Sequence, residues 1–440
     1  MMIRLAALLL VLALPAGLSA ARAEIAIQTV TSPGGITAWL VESHDIPFAA
    51  LEIRFRGGTS LDAPGKRGAV NLMTALIEEG AGDLDAQGFA AARDGLAAEF
   101  RFSSNSDDVG VSARFLTENR DQALALLRVA LIEPRFDADA VERVRGQVLT
   151  GLRADEKDGE AIADRLVAAR NFGDHPYATS GDGTIASVTA LTRDDIVAAH
   201  RSALARDQIY VAAAGDITAA QLASLLDDLL GGLPATGAPL PGRAKLLEKG
   251  GLVVANLPGP QSVVQFVQQG IAFEDPDYFA VVILNEILGG GRFGARLMTE
   301  VRETRGLTYG IGTGLASLDH AEWLVGQFDS ANEKVAEAID VVRAEWAKIA
   351  ADGVTADETD KAKAFLTGSY PLRFDGNGQI AGILVGMQMV GLTPDYPAKR
   401  NARIEAVTLA DVQRVASSFF TPDKLFFVVV GQPEGVIATE

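Results

Sequence analysis

Cysteine is absent from this 440-residue sequence. Disulfides, thiolate nucleophiles, cysteine-ligated zinc and iron–sulfur clusters are therefore excluded. Basic residues are in the minority, with 39 Lys and Arg against 57 Asp and Glu, and the net charge is −18. Because proteins that bind nucleic acid or anionic lipid usually carry a basic excess or a basic stripe, we expect neither kind of partner. Low-complexity tracts are also missing, and a hydrophobic content of 48% is enough for two or more folded domains.

Histidine is scarce, with only His44, His175, His200 and His320 in the whole chain. No two of them are three or four residues apart, which is the short spacing that zinc sites regularly use. His44 and His175 each lie in a turn-like segment beside a proline, so we expect both at the surface. The sequence predicts no metal ligand and no cofactor in this chain.

The N-terminal residues 1–23 have the pattern of a cleaved secretory signal. Arg4 supplies the positive charge, Leu5–Leu14 is an uninterrupted apolar run, and Ala21-Arg22-Ala23 offers a cleavage site. Ten apolar residues are too few to span a bilayer, and no later stretch is long and apolar enough to do so. We therefore expect an exported, periplasmic protein without a membrane anchor.

One half of the sequence repeats the other. Residues 191–216 align with residues 407–432 without a gap, at an offset of 216 that pairs Thr192 with Thr408 and Gly215 with Gly431. Both copies predict a Thr-capped helix, a polar joint and an apolar strand that ends in glycine. The same offset places Gly35-Ile36 over Gly251-Leu252. Two distant matches at one offset indicate the duplication of a whole domain.

A Pro- and Gly-rich stretch between the copies indicates a linker. The sequence therefore predicts a signal peptide at 1–23, an N-terminal domain at 24–233, a linker at 234–248 and a C-terminal domain at 249–440.

Each domain mixes two hydrophobic periods. Leu51, Ile53 and Phe55 alternate with charged residues, as in a half-buried strand, whereas 117–132 and 332–350 have helical patterns. Hairpin-like strands combined with long helices predict the α+β class, with each domain a mostly antiparallel sheet that has helices packed on one face.

The segment from Arg54 to Gly82 resembles the first-domain core of the pitrilysin/insulinase-type zinc peptidases, which include the mitochondrial processing peptidases. In that family a strand leads through a glycine turn with an acidic residue and Pro-Gly into a helix that carries His-x-x-Glu-His. Two histidines at i and i+4 bind one zinc ion, and the glutamate activates the bound water. The resemblance implies two such domains in a clamshell arrangement.

The positions that bind the metal in this family carry other residue types in this sequence. Asn71 and Ala75 occupy the two histidine positions, and Thr74 occupies the glutamate position. The position of the last ligand, on a later helix, falls at about Gly151. Because alanine and glycine offer no donor atom and neutral Asn and Thr are poor zinc ligands, the resemblance implies a first domain without catalytic zinc.

A second-domain segment keeps the family pattern. There a glycine-rich turn, Gly289-Gly290-Gly291, precedes a helix that ends at Arg302, and Tyr309 follows after six more residues. In the family this Arg and Tyr reach the peptide that is bound near the zinc. Guanidinium can donate to backbone carbonyls and phenol to a developing oxyanion. Arg305 is a weaker candidate that we expect to be solvated.

Two other interpretations of this segment stay open. Gly289, Gly291 and Gly294 satisfy the G-x-G-x-x-G fingerprint of dinucleotide sites, but residues 278–288 before them favour a buried helix over the required strand. The glycines could also serve as a turn that needs positive φ, or form a flexible loop that touches substrate.

In this family a working site is often divided between two chains. The resemblance therefore implies a non-catalytic, substrate-binding subunit of an exported zinc metallopeptidase, with Arg302 and Tyr309 delivered to the zinc of a His-x-x-Glu-His partner that acts on peptides or unfolded polypeptides. The alternatives are a non-enzymatic scaffold or peptide-binding protein with the same fold, and a small-molecule enzyme that uses the glycine turn.

Overall fold

The computed structural model describes residues 25–247 and 249–439, so the expected signal segment lies outside the described residues. The first half contains β1 Gln28–Thr31, β2 Thr37–Glu42, β3 Phe48–Arg56, α1 Ala69–Leu76, β4 Gly80–Ala81, β5 Leu84–Asp85, α2 Ala86–Gly95, β6 Glu99–Ser104, β7 Asp108–Leu116, α3 Arg120–Ile132, α4 Ala138–Asp155, α5 Gly159–Phe172, α6 Ile185–Ala190, α7 Arg193–Ala203, β8 Ile209–Gly215 and α8 Ala219–Leu230. The second half contains β9 Gly251–Asn256, β10 Gln261–Gln269, α9 Tyr278–Leu288, β11 Ile311–Ser317, β12 Glu322–Ala331, α10 Val335–Asp352, α11 Ala356–Ser369, α12 Asn377–Met389, α13 Tyr396–Ala406, α14 Leu409–Phe419 and β13 Phe426–Gly431.

The two halves use the same sheet topology. In the first sheet the strand order is β1-β2-β8-β3-β7-β6, with β2 and β8 parallel and the remaining neighbours antiparallel. In the second sheet the order is β11-β12-β10-β13-β9, which is the same arrangement read in reverse and without a counterpart of β1. The α+β fold class predicted from the sequence is confirmed.

The repeated segment keeps its offset in the structure. Helices α7 and α14 begin and end 216 residues apart, and each has a capping box in which a threonine side chain accepts from the amide three residues later. The match of Gly35-Ile36 with Gly251-Leu252 is wrong by two residues. In the second sheet Leu252 pairs with Phe427, and the offset of 216 makes Val211 the first-half equivalent of Phe427. Val211 pairs with Ala38, so Ala38 rather than Ile36 corresponds to Leu252.

Both faces of each sheet are covered by packed side chains. Alternate residues of the first sheet, such as Leu40 and Ile53, contribute to the core of the first half. The opposite face, with Trp39 and Ala212, packs against Leu384 and its neighbours on α12 of the second half.

The second sheet shows the reciprocal arrangement. Its opposite face, with Phe426 and Val428, packs against Ala163 and Val167 on α5 of the first half. Helices α5 and α12 are about 216 residues apart, so the exchange follows the duplication. One helix from each half therefore packs on the sheet of the other half, so a division of the sequence at the linker does not separate two independent cores. The domain boundaries at 24–233 and 249–440 stay a prediction.

The segment that joins the halves is packed against both of them. The Gly237 amide donates to Asp207, the Leu247 amide donates to the Asn171 carbonyl, and the Ala244 amide donates to the His320 carbonyl. Within the described residues, none of the helices has the length and apolar content needed to cross a membrane.

Candidate functional site

Helix α1 carries the positions where the resemblance places the zinc-binding motif. The turn before it is held by Asp62, whose carboxylate accepts from the amides of Gly68 and Val70, both at 2.8 Å. Burial raises the pKa of Asp62, while these amide hydrogen bonds oppose the shift. Gly68 has a φ of 93°, which favours glycine at the start of this helix. The turn therefore serves to start the helix.

The side chains at the motif positions do not form a metal site. The Asn71 Oδ1 atom accepts from Ser104 Oγ at 3.3 Å, and the buried Thr74 hydroxyl donates to the Val70 carbonyl at 2.8 Å. Ala75 is exposed, and Gly151 lies exposed on α4, which packs against α1. Since this surface presents one amide oxygen where the family presents two imidazoles and a carboxylate, the residues do not fit a catalytic zinc ion.

The glycine-rich turn is anchored at its start. The Gly289 amide donates to the Asn285 carbonyl at 2.9 Å, and the Gly289 carbonyl accepts from the Thr313 amide of β11 at 2.7 Å. A Cβ on Gly290 would lie 2.6 Å from the Glu286 Cα atom, and Gly291 has a φ of 82°. The preceding element is helix α9, so the strand that a dinucleotide fingerprint requires is not present at this point. Close packing and positive φ account for these glycines.

Arg302 lies in a π-helical segment, Met298–Thr304, rather than at the end of a regular α-helix. π-Helical turns are rare and occur frequently at functional sites. The guanidinium is half-buried and lies over the ring of Phe293, at 4.8 Å from its centroid. Phe293 is itself 63% exposed. Among the described residues, no carboxylate forms an ion pair with Arg302, so its hydrogen-bond donors stay available to a ligand.

The π-helical segment is fixed at its beginning by an ion pair. Arg296 donates to both carboxylate oxygens of Glu358 on α11, at 2.7 and 2.9 Å. Partial burial raises the pKa of Glu358, but the hydrogen bonds from Arg296 and Thr355 and the charge of Arg296 outweigh it and lower the pKa to about 2. The segment before Arg302 is therefore held against the body of the second half.

Tyr309 stands on a loop whose neighbouring residues are fixed. The Thr308 hydroxyl is 2.6 Å from the Asp329 carbonyl of β12 and accepts from the Gly310 amide at 3.2 Å. Leu307 is buried, whereas Tyr309 is 87% exposed. An anchored turn thus presents a phenol to solvent, where its hydroxyl is free to donate.

Arg305 differs from Arg302 in its contacts. Its guanidinium donates to the Glu300 carboxylate at 2.5 Å and to the Glu300 carbonyl at 2.8 Å. Because Arg305 is paired with Glu300, it offers fewer free donors to a ligand than Arg302 does, which is consistent with Arg305 being the weaker candidate. Phe293 is the member of this surface that the sequence did not single out, because an aromatic residue near a glycine-rich turn has no signal of its own.

Comparison with known proteins finds relatives along most of the chain. The sequence model described as peptidase M16 inactive domain matches residues 190–366. A non-peptidase homolog of Helicobacter pylori is 25% identical over 393 residues, which are 88% of this chain and 90% of that protein. An uncharacterized zinc protease of Mycobacterium tuberculosis is 26% identical over 403 residues, which are 90% of this chain and 91% of that protein.

The solved structures agree with these relatives. A peptidase M16 inactive domain from Pseudomonas fluorescens has a TM-score of 0.87 and 29% identity, and the match covers 94% of this chain and 99% of that one. Relatives named as peptidases and as non-peptidases are similarly distant, so the residues at positions 71, 74, 75 and 151 decide between them. The resemblance to the pitrilysin/insulinase-type M16 peptidases is therefore confirmed, and the positions that correspond to their zinc-binding motif hold Asn71, Thr74, Ala75 and Gly151 in this chain.

Proposed function

We propose that this protein is the substrate-binding subunit of an exported zinc peptidase and that it supplies Arg302 and Tyr309 to the zinc site of a related His-x-x-Glu-His subunit. The observation that carries the proposal is a contrast within one chain. The metal positions hold Asn71, Thr74 and Ala75, whereas Arg302 and Tyr309 keep unused donor groups on an anchored surface.

The chemistry of these two groups suits a peptide. Arg302 can donate to main-chain carbonyls of an extended polypeptide, and the Tyr309 hydroxyl can donate to the oxygen that becomes negative during amide hydrolysis. The contact with Phe293 limits the rotation of the Arg302 side chain, which lowers the entropy lost on binding. A scaffold would not require this arrangement.

The relatives support a divided enzyme. A mitochondrial-processing peptidase subunit beta of Neurospora crassa is 21% identical over 430 residues, which are 94% of this chain and 89% of that protein. Its name is that of one subunit of a peptidase. By analogy, we assign this chain to the non-catalytic side of such a pair and place the zinc on the partner.

The test uses the purified chain together with a His-x-x-Glu-His relative encoded in the same genome, and a fluorogenic unfolded peptide. Arg302→Ala should lower kcat/KM at least about tenfold because a charged donor to substrate is lost. Tyr309→Phe should lower kcat more than KM because the lost donor acts on the transition state.

Arg305→Ala is the matched control, since Arg305 is already paired with Glu300, and it should leave turnover within about twofold. Co-purification of the two chains should be the same for every variant. Turnover that is unchanged in both Arg302→Ala and Tyr309→Phe would favour the scaffold instead.

A further inference from the structure

Corresponding hairpin turns of the two halves meet in one polar cluster. The turn between β6 and β7 contributes Asp107, and the turn between β11 and β12 contributes Asp319 and His320. The Asp319 amide donates to Asp107 Oδ2 at 3.1 Å, and the Tyr177 hydroxyl donates to Asp107 Oδ1. Arg56 donates from Nε to Asp319 Oδ2 at 2.5 Å.

The ring of His320 lacks the partners that the other histidines have. His44 contacts Asp216 and Glu42, His175 contacts the Gly242 carbonyl and the Tyr177 amide, and His200 contacts the Leu131 carbonyl. His320 is only 6% exposed, and among the described residues its buried Nε2 atom has no hydrogen-bond partner. An unpaired imidazole nitrogen at such a depth costs free energy unless a ligand or water satisfies it.

The donor atoms around His320 are already close together. One ring nitrogen of His320 and one carboxylate oxygen each from Asp107 and Asp319 lie within 4.8 Å of one another. Around a zinc ion with bonds of about 2.1 Å, tetrahedral ligand atoms are about 3.4 Å apart, so small side-chain movements would complete the coordination. Two carboxylates and one neutral imidazole are a usual ligand set for a divalent transition metal.

We propose that Asp107, Asp319 and His320 bind one divalent cation of the zinc class that bridges the two halves of the chain. The cation would join the first-half turn that follows β6 to the second-half turn that follows β11. Its role is structural, because the donors come from both halves and hold their contact in place.

Arg56 is the alternative explanation for the two carboxylates. It balances Asp319, but within the described residues it leaves the Nε2 atom of His320 unsatisfied. The three donors come from hairpin turns and not from helix α1, which carries the family's catalytic positions Asn71 and Ala75. The proposed site also departs from the expectation that the chain has no metal ligand, because that expectation rests on short spacing and these donors are 212 residues apart.

The experiment measures binding of Zn²⁺ alone to the full mature chain, expressed without a histidine tag and stripped with a chelator. Isothermal titration should give one equivalent per chain with a dissociation constant below about 10 µM, and the thermal midpoint should rise. His320→Gln and Asp319→Asn should each weaken binding at least about tenfold, since each removes one ligand. His44→Gln removes an exposed histidine that also lies between two carboxylates, and it should leave binding unchanged.

Circular dichroism of the metal-free variants checks that each one folds, and Asp319→Asn decides the matter if His320→Gln does not. Absence of stoichiometric Zn²⁺ binding in the unmodified chain would overturn the proposal. So would undiminished binding in a folded Asp319→Asn or His320→Gln variant, or a loss of binding in His44→Gln.

Discussion

At the scale of single residues, the sequence predicts which positions correspond to the family's metal site, but it does not predict the contacts that these and neighbouring residues make. Asn71, Thr74 and Ala75 can be assigned to motif positions because a helical motif with fixed spacing is recognisable in a sequence, whereas Gly151 on a later helix is assigned only approximately. The contact of Arg302 with Phe293 was not predictable, since it depends on a π-helical segment that no sequence period signals. Likewise, Asp107 and His320 come together only through the tertiary fold.

The glycine-rich turn gives a prediction about packing. Gly290→Ala should destabilise the protein by about 1–3 kcal/mol, because the new Cβ would lie 2.6 Å from the Glu286 Cα atom and the backbone must move. The free energy of unfolding from urea titration measures the effect.

Gly294→Ala is the matched control in the same segment, since a Cβ there meets no atom within 4 Å. It should change the free energy of unfolding by less than about 0.5 kcal/mol. Equal stability of the two variants would show that the turn is not closely packed.

At the scale of elements, the main finding is that helices α5 and α12 each pack on the sheet of the other half. The duplication was readable from the sequence because capped helices and glycine-ended strands repeat at one offset. The exchange of α5 and α12 cannot be predicted from the sequence, because the apolar face of a helix does not determine which of two sheets it covers.

Leu384→Ala on α12 tests this exchange. The side chain is fully buried against the first sheet, so the variant should lose about 2–5 kcal/mol of unfolding free energy. Both halves should still unfold in one transition, because each sheet depends on a helix of the other half. Leu372→Ala, at a residue that is 74% exposed, should cost less than about 0.5 kcal/mol. Two separate transitions in the unmodified protein would contradict this picture of the fold.

The ion pair of Arg296 with Glu358 gives a pH-dependent prediction. The pKa of Glu358 is lowered to about 2 in the folded state, so its contribution to stability is present above the ordinary glutamate pKa of 4.5 and is lost as the pH falls towards 2. Glu358→Gln should therefore lower stability at pH 7 and narrow its difference from the unmodified protein below about pH 4. Urea titrations at pH 7, 5 and 3 measure this, and a difference that does not change with pH would contradict it.

At the scale of the whole molecule, the chain has the fold of a solved M16 inactive domain, and the residues at its motif positions do not fit a catalytic zinc ion. Its net charge of −18 argues against binding to nucleic acid or anionic lipid, and its lack of cysteine excludes disulfides and cysteine-ligated metal sites. The two reciprocal helix contacts and the contact between the hairpin turns join the halves, and Arg302 and Tyr309 lie on the second half. The division of labour that we propose involves a second chain, so it must be tested in a mixture of the two chains.

The most direct measurement of the central claim is the rate of peptide cleavage by the purified chain, alone and mixed with its His-x-x-Glu-His relative. Zn²⁺ should be supplied in both cases, so that the cation site proposed at Asp107, Asp319 and His320 can be filled throughout. We expect no cleavage above background by the chain alone, and cleavage by the mixture that exceeds that of the relative alone. Equal cleavage by the isolated chain and by the mixture would contradict the account.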